Sequence, residues 1–266
     1  MSKMKQLASI MFLVFFAHVG SVAIWGQVSV AVNGRNLFLD CMGNATGPTV
    51  ILLAGGGGTT ATWDKVQPAI SRFARVCSYD RAGLGKSSAI HEPQPANQIV
   101  DDLTALLKNA HVLPPYILVG HSIGGLYARQ FDERYDSEVA GMVLLDSSHE
   151  EQIWRFAKDE PSALSEYPDW KDDTAMEAEG FLPPGKHLQW HFSKPLIVIE
   201  HGIPDEPVWH AMQKDLAARS PRGRLIAATK SSHYIQNLQP DLVIESIQTV
   251  LSEAKSQIAP VGERPR

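Results

Sequence analysis

The segment Val119-Gly120-His121-Ser122-Ile123-Gly124-Gly125 fits the pattern G-x-S-x-G, whose chemistry is nucleophilic attack by a serine. An apolar run precedes it and a helical pattern follows, the strand–turn–helix context that gives the motif its meaning. Reversing the chain over so few residues strains the serine backbone. Gly120 and Gly124 lack side chains that would collide across the turn, and with His121 they frame the elbow. The strain lifts the Ser122 hydroxyl above the strand ends, while the following helix aims its amino end at developing negative charge. A serine hydroxyl needs a base to take its proton, and His233, in Ser231-Ser232-His233-Tyr234, follows the last expected strand. An imidazole in turn needs a carboxylate to fix its tautomer. Asp205, on the loop leaving an expected strand Pro195–Glu200, is the first expectation. Asp146, ending an expected strand Ala140–Leu145, is the alternative, with capping of backbone amides as its competing role; Glu206 ranks third.

Attack on a carbonyl also requires two donors for the oxyanion. The backbone N–H of Ile123, next after the serine, is one. The second is expected from the loop after an earlier strand, where Ala54-Gly55-Gly56-Gly57-Gly58 lets the backbone approach a substrate closely. Gly56 is expected to supply it, with Gly57 the alternative. A phosphate-binding loop fits poorly, because Thr59-Thr60-Ala61 stands where GK[ST] would be needed.

The elements that must hold these residues alternate. Gln27–Val32 and Asn36–Cys41 read as two strands joined by Asn33-Gly34, a two-residue hairpin signal. Pro48–Ala54, Val76–Tyr79, Tyr116–Val119, Ala140–Leu145, Pro195–Glu200 and Leu225–Ala228 read as further short strands, several of them continuous apolar runs suited to burial on both faces. Helices are expected over Trp63–Phe73, Ile123–Tyr135, Pro207–Arg219 and Asp241–Leu251. Another is expected around Ile99, Val100, Leu103, Leu106 and Leu107, with Asp101 and Asp102 in its first turn. Residues 147–194 are polar, with prolines and large aromatics, and read as an inserted lid. Strand–helix alternation predicts an α/β fold with a mostly parallel sheet covered on both faces, its function in loops at the carboxyl ends of the strands.

Lys3 and Lys5 precede an apolar stretch from about Leu7 to Ile24, with no acidic residue before Asp40. This order predicts a signal peptide over residues 1–26, with small residues near Ser21, Ala23 and Gly26 for cleavage. Export to a periplasmic or extracellular location follows, and contact with a membrane only if the leader stays as an anchor. The domain is then expected over residues 27–255, followed by a flexible tail over 256–266. The chain has 44% hydrophobic and 20% charged residues, with a formal charge of −5. These values fit an ordinary globular protein and exclude disorder and coiled coil. With no basic stripe, nucleic acid is not an expected partner. Cys41 and Cys77 lack the spacing of a zinc site, and in an oxidising compartment two lone thiols tend to pair.

With the GHSIGG elbow, the glycine loop and the late SSHY segment in this order, the chain resembles the α/β-hydrolase superfamily from about Val28 to Ala254. Ser78-Tyr79-Asp80-Arg81-Ala82-Gly83-Leu84-Gly85-Lys86-Ser87 is similar to that family's Y-D-x-R-G-x-G-x-S segment, shifted because Arg81 follows Asp80 directly. The usual His-Gly before the oxyanion loop is here Ala54-Gly55. The resemblance implies an exported serine hydrolase that cleaves a carboxylic ester of a small or medium uncharged substrate through an acyl-enzyme, without metal or organic cofactor. The same machinery would serve lactones, amides, thioesters, acyl transfer or perhydrolysis. A binding protein that kept the fold without catalysis is the reading from another class. A serine at the elbow argues against haloalkane dehalogenase or epoxide hydrolase chemistry, where the family has aspartate. In the implied fold the strands bearing Cys41 and Cys77 are neighbours, which adds to the expectation of a disulfide.

Other residues attract no role. His187 and His191 have i, i+4 spacing, but Leu188 stands where a metalloprotease helix needs glutamate. With His201 and His210 they read as surface or lid histidines. Glu150-Glu151 and the acidic stretch around Glu177 and Glu179 read as solvated faces, and Met176 between them as an isolated apolar residue.

Overall fold

Short apolar runs that cannot fill a helix must become strands, and those apolar on both sides must lie in the middle of a sheet. A computed structural model describes residues 26–182 and 190–258. Its strands are β1 (Gly26–Val32), β2 (Arg35–Met42), β3 (Thr49–Leu53), β4 (Val76–Tyr79), β5 (Tyr116–His121), β6 (Val139–Leu145), β7 (Leu196–His201) and β8 (Gly223–Ala228). They form one sheet in the order β1-β2-β4-β3-β5-β6-β7-β8. β1 pairs antiparallel with β2, and β2 antiparallel with β4. Every other neighbour is parallel. Asn33 and Gly34 both take positive φ in the first turn, as the Asn-Gly signal requires.

The side-chain alternation of a strand decides which layer each residue joins. Val50, Val119, Val143 and Ile199 pack against Trp63, Ile70 and the helix Pro240–Ile258. Ile51, Leu118, Leu144 and Val198 point the other way, in a layer with Leu103 of the helix Ala96–Asn109, Phe131 of Ile123–Tyr135 and Leu216 of Pro207–Ala218. Each such buried side chain contributes about 1.5–3 kcal/mol, so both faces of the central strands are held. Cys41 and Cys77 sit opposite each other across β2 and β4, and their sulfurs are bonded.

Several sequence expectations change. The helix expected over Trp63–Phe73 is a 3₁₀ turn, Thr60–Trp63, and a short helix, Gln67–Ile70. Pro68 lacks the N–H that an uninterrupted helix would use and instead starts a new one. The insertion starts later than residue 147, because Ser147, Ser148, His149 and Glu150 are buried. Arg129, fully buried, donates to Ser147 Oγ, to the Ser148 carbonyl and to Glu150. Arg219 also pairs with Glu150 at 2.6 Å, so Glu150 belongs to a buried ion network and not to a solvated face. The insertion proper holds the helices Gln152–Asp159 and Asp173–Glu179 with a 3₁₀ segment, Pro161–Glu166, between them. Met176 is buried there beside Ile153, Phe156, Leu164 and Phe181, against Leu126, Trp209 and Met212. The last helix runs to Ile258, past the boundary expected at residue 255. The expected leader, apart from Gly26, and the rest of the expected tail lie outside the described residues. Among the described residues no helix is long and apolar enough to cross a membrane.

Candidate active site

The site lies at the carboxyl ends of β5, β6, β7 and β8. Ser122 follows β5 with φ 54° and ψ −128°, a left-handed conformation that costs a non-glycine residue of order 1–3 kcal/mol. Several contacts over-determine it. The Ser122 N–H donates to the Leu145 carbonyl at 3.0 Å, and the Ser122 carbonyl accepts from the N–H groups of Gly125 and Ser148. A Cβ at Gly120 would overlap the Gly125 backbone, and one at Gly124 would overlap the Leu53 carbonyl. Glycine at both positions is therefore a steric requirement of the elbow. Ile123 opens the helix Ile123–Tyr135, so its N–H has no acceptor within the helix.

His233 lies on the loop after β8, and its Nδ1 is 2.7 Å from Asp146 Oδ2. Asp146 directly follows β6 with φ 45°, and its carboxylate is fully buried. Trp209 Nε1 donates to Oδ1 at 2.6 Å, and the His201 backbone N–H donates to Oδ1 at 3.1 Å. The His201 ring Nδ1 reaches both oxygens, at 2.8 and 2.9 Å. Burial alone would raise the Asp146 pKa, but the hydrogen bonds from His201 and His233 outweigh it and hold the carboxyl well below its usual range. Asp205, the acid expected first, is exposed on the loop beyond β7. Among the described residues no hydrogen bond or ion pair joins it to His233. β6, β7 and β8 are successive parallel neighbours, and the residue after β6 meets the imidazole from the loop after β8, while Asp205 stays exposed.

His121 and the glycine loop brace the other side. His121 Nε2 is 2.9 Å from the His233 carbonyl; a carbonyl only accepts, so Nε2 carries the proton. Burial, then the neighbouring His233, pushes the His121 pKa down to about 4, leaving the ring neutral near pH 7. A Cβ at Gly55 would lie 2.9 Å from His121 Nδ1 and 3.0 Å from Ser122 Cβ. The Arg81 guanidinium donates to the carbonyls of Ala54 and Gly55, and Asp80 accepts from the backbone of Thr60 and Lys86. The segment around Tyr79-Asp80-Arg81 thus fixes the loop beside Ser122. Gly56 and Gly57 are exposed, and neither donates a hydrogen bond to another described residue.

Ser122, Asp146 and His233 line one cavity of about 610 Å³. Phe156, Tyr167, Trp209 and Tyr234 supply apolar surface; among the described residues Glu160 and Glu206 are its acidic residues apart from Asp146, and no Lys or Arg lines it. Sequence reading misses Trp209 and His201, which both bond the Asp146 carboxylate; His201, expected at the surface or in the lid, is instead nearly buried. Of the other histidines, His210 bonds Glu200 at 2.8 Å, and His187 lies outside the described residues.

Residues 48–180, half of the chain, match the alpha/beta hydrolase fold family. The chain belongs to the alpha/beta hydrolase family. An uncharacterized protein of Bacillus subtilis (strain 168), YqjL, is 28% identical over 244 residues, 89% of this chain and 96% of YqjL. An AB hydrolase superfamily protein of Gibberella zeae is 34% identical over 128 residues, 45% of this chain and 40% of that protein. Among solved structures, a thermophilic esterase from Thermogutta terrifontis has a TM-score of 0.64 at 18% identity, over 86% of this chain and 98% of the esterase. The enol-lactonase from Burkholderia xenovorans has the same TM-score and identity, over 85% of this chain and all of the lactonase. At this identity the structures share the hydrolase fold with this chain, and membership of the alpha/beta hydrolase family supports a hydrolase.

Proposed function

We propose that this alpha/beta hydrolase is an exported serine hydrolase that cleaves carboxylic esters or closely related acyl bonds. In this reading the Ser122 oxygen bonds to the substrate carbonyl carbon while its proton passes to His233 Nε2. Asp146 holds Nδ1–H and stabilises the imidazolium, a role that passes to it from Asp205 on the strength of the 2.7 Å bond. The carbonyl oxygen, now carrying the negative charge, accepts from the Ile123 N–H and from Gly56 or Gly57. Collapse expels the alcohol with the proton from His233. Water then repeats the sequence on the acyl-serine, releasing the acid and restoring Ser122. No step calls on a metal or organic cofactor.

The observation that carries the reading is the His233–Asp146 pair facing the same cavity as a serine held at positive φ. The acidic and aromatic lining favours uncharged substrates over anionic ones. The Cys41–Cys77 bond supports export, since such bonds persist in oxidising compartments. A fluorophosphonate probe tests the nucleophile. Wild type is expected to be labelled and Ser122→Ala is not; folded wild type that resists the probe would mean a binding protein. Parallel assays with esters, lactones and amides rank the substrates, and lactone cleavage without ester turnover would overturn the preference for esters.

A further inference from the structure

Two imidazoles share one carboxylate. His233 and His201 both bring Nδ1 to Asp146 Oδ2, at 2.7 and 2.8 Å. An ionised carboxylate only accepts, so both Nδ1 atoms carry protons. The remaining nitrogens differ in surroundings. His233 is about 39% exposed and lines the cavity with Ser122. His201 is nearly buried, and its Nε2 lies 3.6 Å from a Glu206 carboxylate oxygen. A neutral His201 would turn a lone pair toward that carboxylate, whereas a proton on Nε2 turns a positive edge to it. Each nitrogen of this ring therefore faces an acid.

Resting on the triad reading above, we propose that His201 is a positioning residue that holds the Asp146 carboxylate and, as an imidazolium between Asp146 and Glu206, weakens His233 as a base. A cation on Asp146 offsets the negative charge that would otherwise stabilise protonated His233. The proton taken from Ser122 is then held less firmly by His233, which returns it more readily to the leaving alcohol. Among the described residues the charged and titratable groups around His201 are Asp146 after β6, Glu206 before the helix Pro207–Ala218, Glu200 preceding His201 on β7, and His233 from the loop after β8, which shares Asp146 Oδ2; the rings of His121 and Tyr234 face His233 itself. Glu200 is held by His210, and Trp209 stacks on the His201 ring without charge. The hydrogen bond to Asp146, ahead of the cost of burial, raises the His201 pKa, in keeping with the geometry.

The test compares wild type with His201→Asn, whose amide N–H lies where Nδ1–H does but which carries no charge. Ring-carbon NMR titration of His233 is expected to move its midpoint up by about one pH unit in His201→Asn, with the acid limb of kcat/KM moving equally. An unmoved His233 midpoint overturns the proposal, and this readout decides it even if no tested ester is turned over. His201→Ala, which also loses the donor, is expected to lower kcat more than tenfold below His201→Asn at the optimum; equal values refute the positioning role. Glu206→Gln keeps the cavity shape and is expected to lower the titration midpoint of His201 itself, and an unchanged midpoint refutes the imidazolium.

Discussion

Replacing Asp146 by asparagine exchanges one carboxylate oxygen for an NH₂ group inside a ring of donors. If the amide nitrogen takes the Oδ1 side, it meets the Trp209 indole N–H and the His201 backbone N–H. Neither can change its proton, and two buried donors left without acceptors cost roughly 2–6 kcal/mol. If it takes the Oδ2 side, it meets Nδ1 of His233 and of His201; His233 can shift its proton to Nε2, and His201, with no carboxylate left beside Nδ1, can release the Nδ1 proton and keep Nε2–H. The second arrangement is favoured, with a folding cost below about 3 kcal/mol. It leaves His233 with Nε2–H, unable to take the serine proton. A turnover loss of about 10⁴ follows, or about 5 kcal/mol at 1.36 kcal/mol per decade. Steady-state hydrolysis of a short-chain p-nitrophenyl ester, paired with urea unfolding, separates the two effects. Asp205→Asn is the control: exposed and unbonded to His233, it should change stability by no more than about 0.5 kcal/mol and leave turnover alone. Wild-type turnover in Asp146→Asn, or the loss appearing in Asp205→Asn instead, would refute the reasoning.

Three further outcomes follow from the same structure. Breaking the Cys41–Cys77 bond, which closes a loop with a sequence separation of 36, is expected to remove up to about 4 kcal/mol, read as a lower urea midpoint under reductant or in a Cys41→Ala/Cys77→Ala variant. The His121 pKa, pushed to about 4, lies below the ~6.5 of an unfolded histidine, so the unfolded chain binds the extra proton first. Stability should therefore fall by up to about 3 kcal/mol as pH drops from 6.5 toward 4, and His121→Gln should flatten that part of a Tm-against-pH curve. Esters bearing a carboxylate on the acyl chain should show KM at least tenfold above matched neutral esters, and Glu160→Gln should narrow the gap, because a nearby like charge repels about as strongly as an opposite one attracts.

The sheet was legible because Val50–Leu53, Tyr116–Val119 and Pro195–Glu200 are too apolar and too short to be anything but buried strands. The elbow was legible because Gly120 and Gly124 occupy points where a Cβ would strike backbone. What stayed hidden depends on neighbours across strands. Sequence order puts Asp205 ahead of Asp146, although each follows a strand and precedes the histidine, but the neighbouring ends of β6, β7 and β8 bring Asp146, the His201 ring and His233 together. The cue that was available is the aspartate just after β6, one strand away from the strand before Ser122. Glu150 misled for a related reason: its partners Arg129 and Arg219 are distant in the chain, and an acidic pair next to a polar insertion looks solvated when those partners are out of view.

Trp209 belongs at once to the apolar packing beneath the insertion, stacked on Phe156 with ring centroids 6.2 Å apart, and to the hydrogen bonds on Asp146. Roof and candidate centre therefore share a keystone. An engineer exchanging residues 152–182 for a cap with other substrate tastes would have to retain an aromatic surface facing this indole, or the transplant would loosen the acid along with the ceiling.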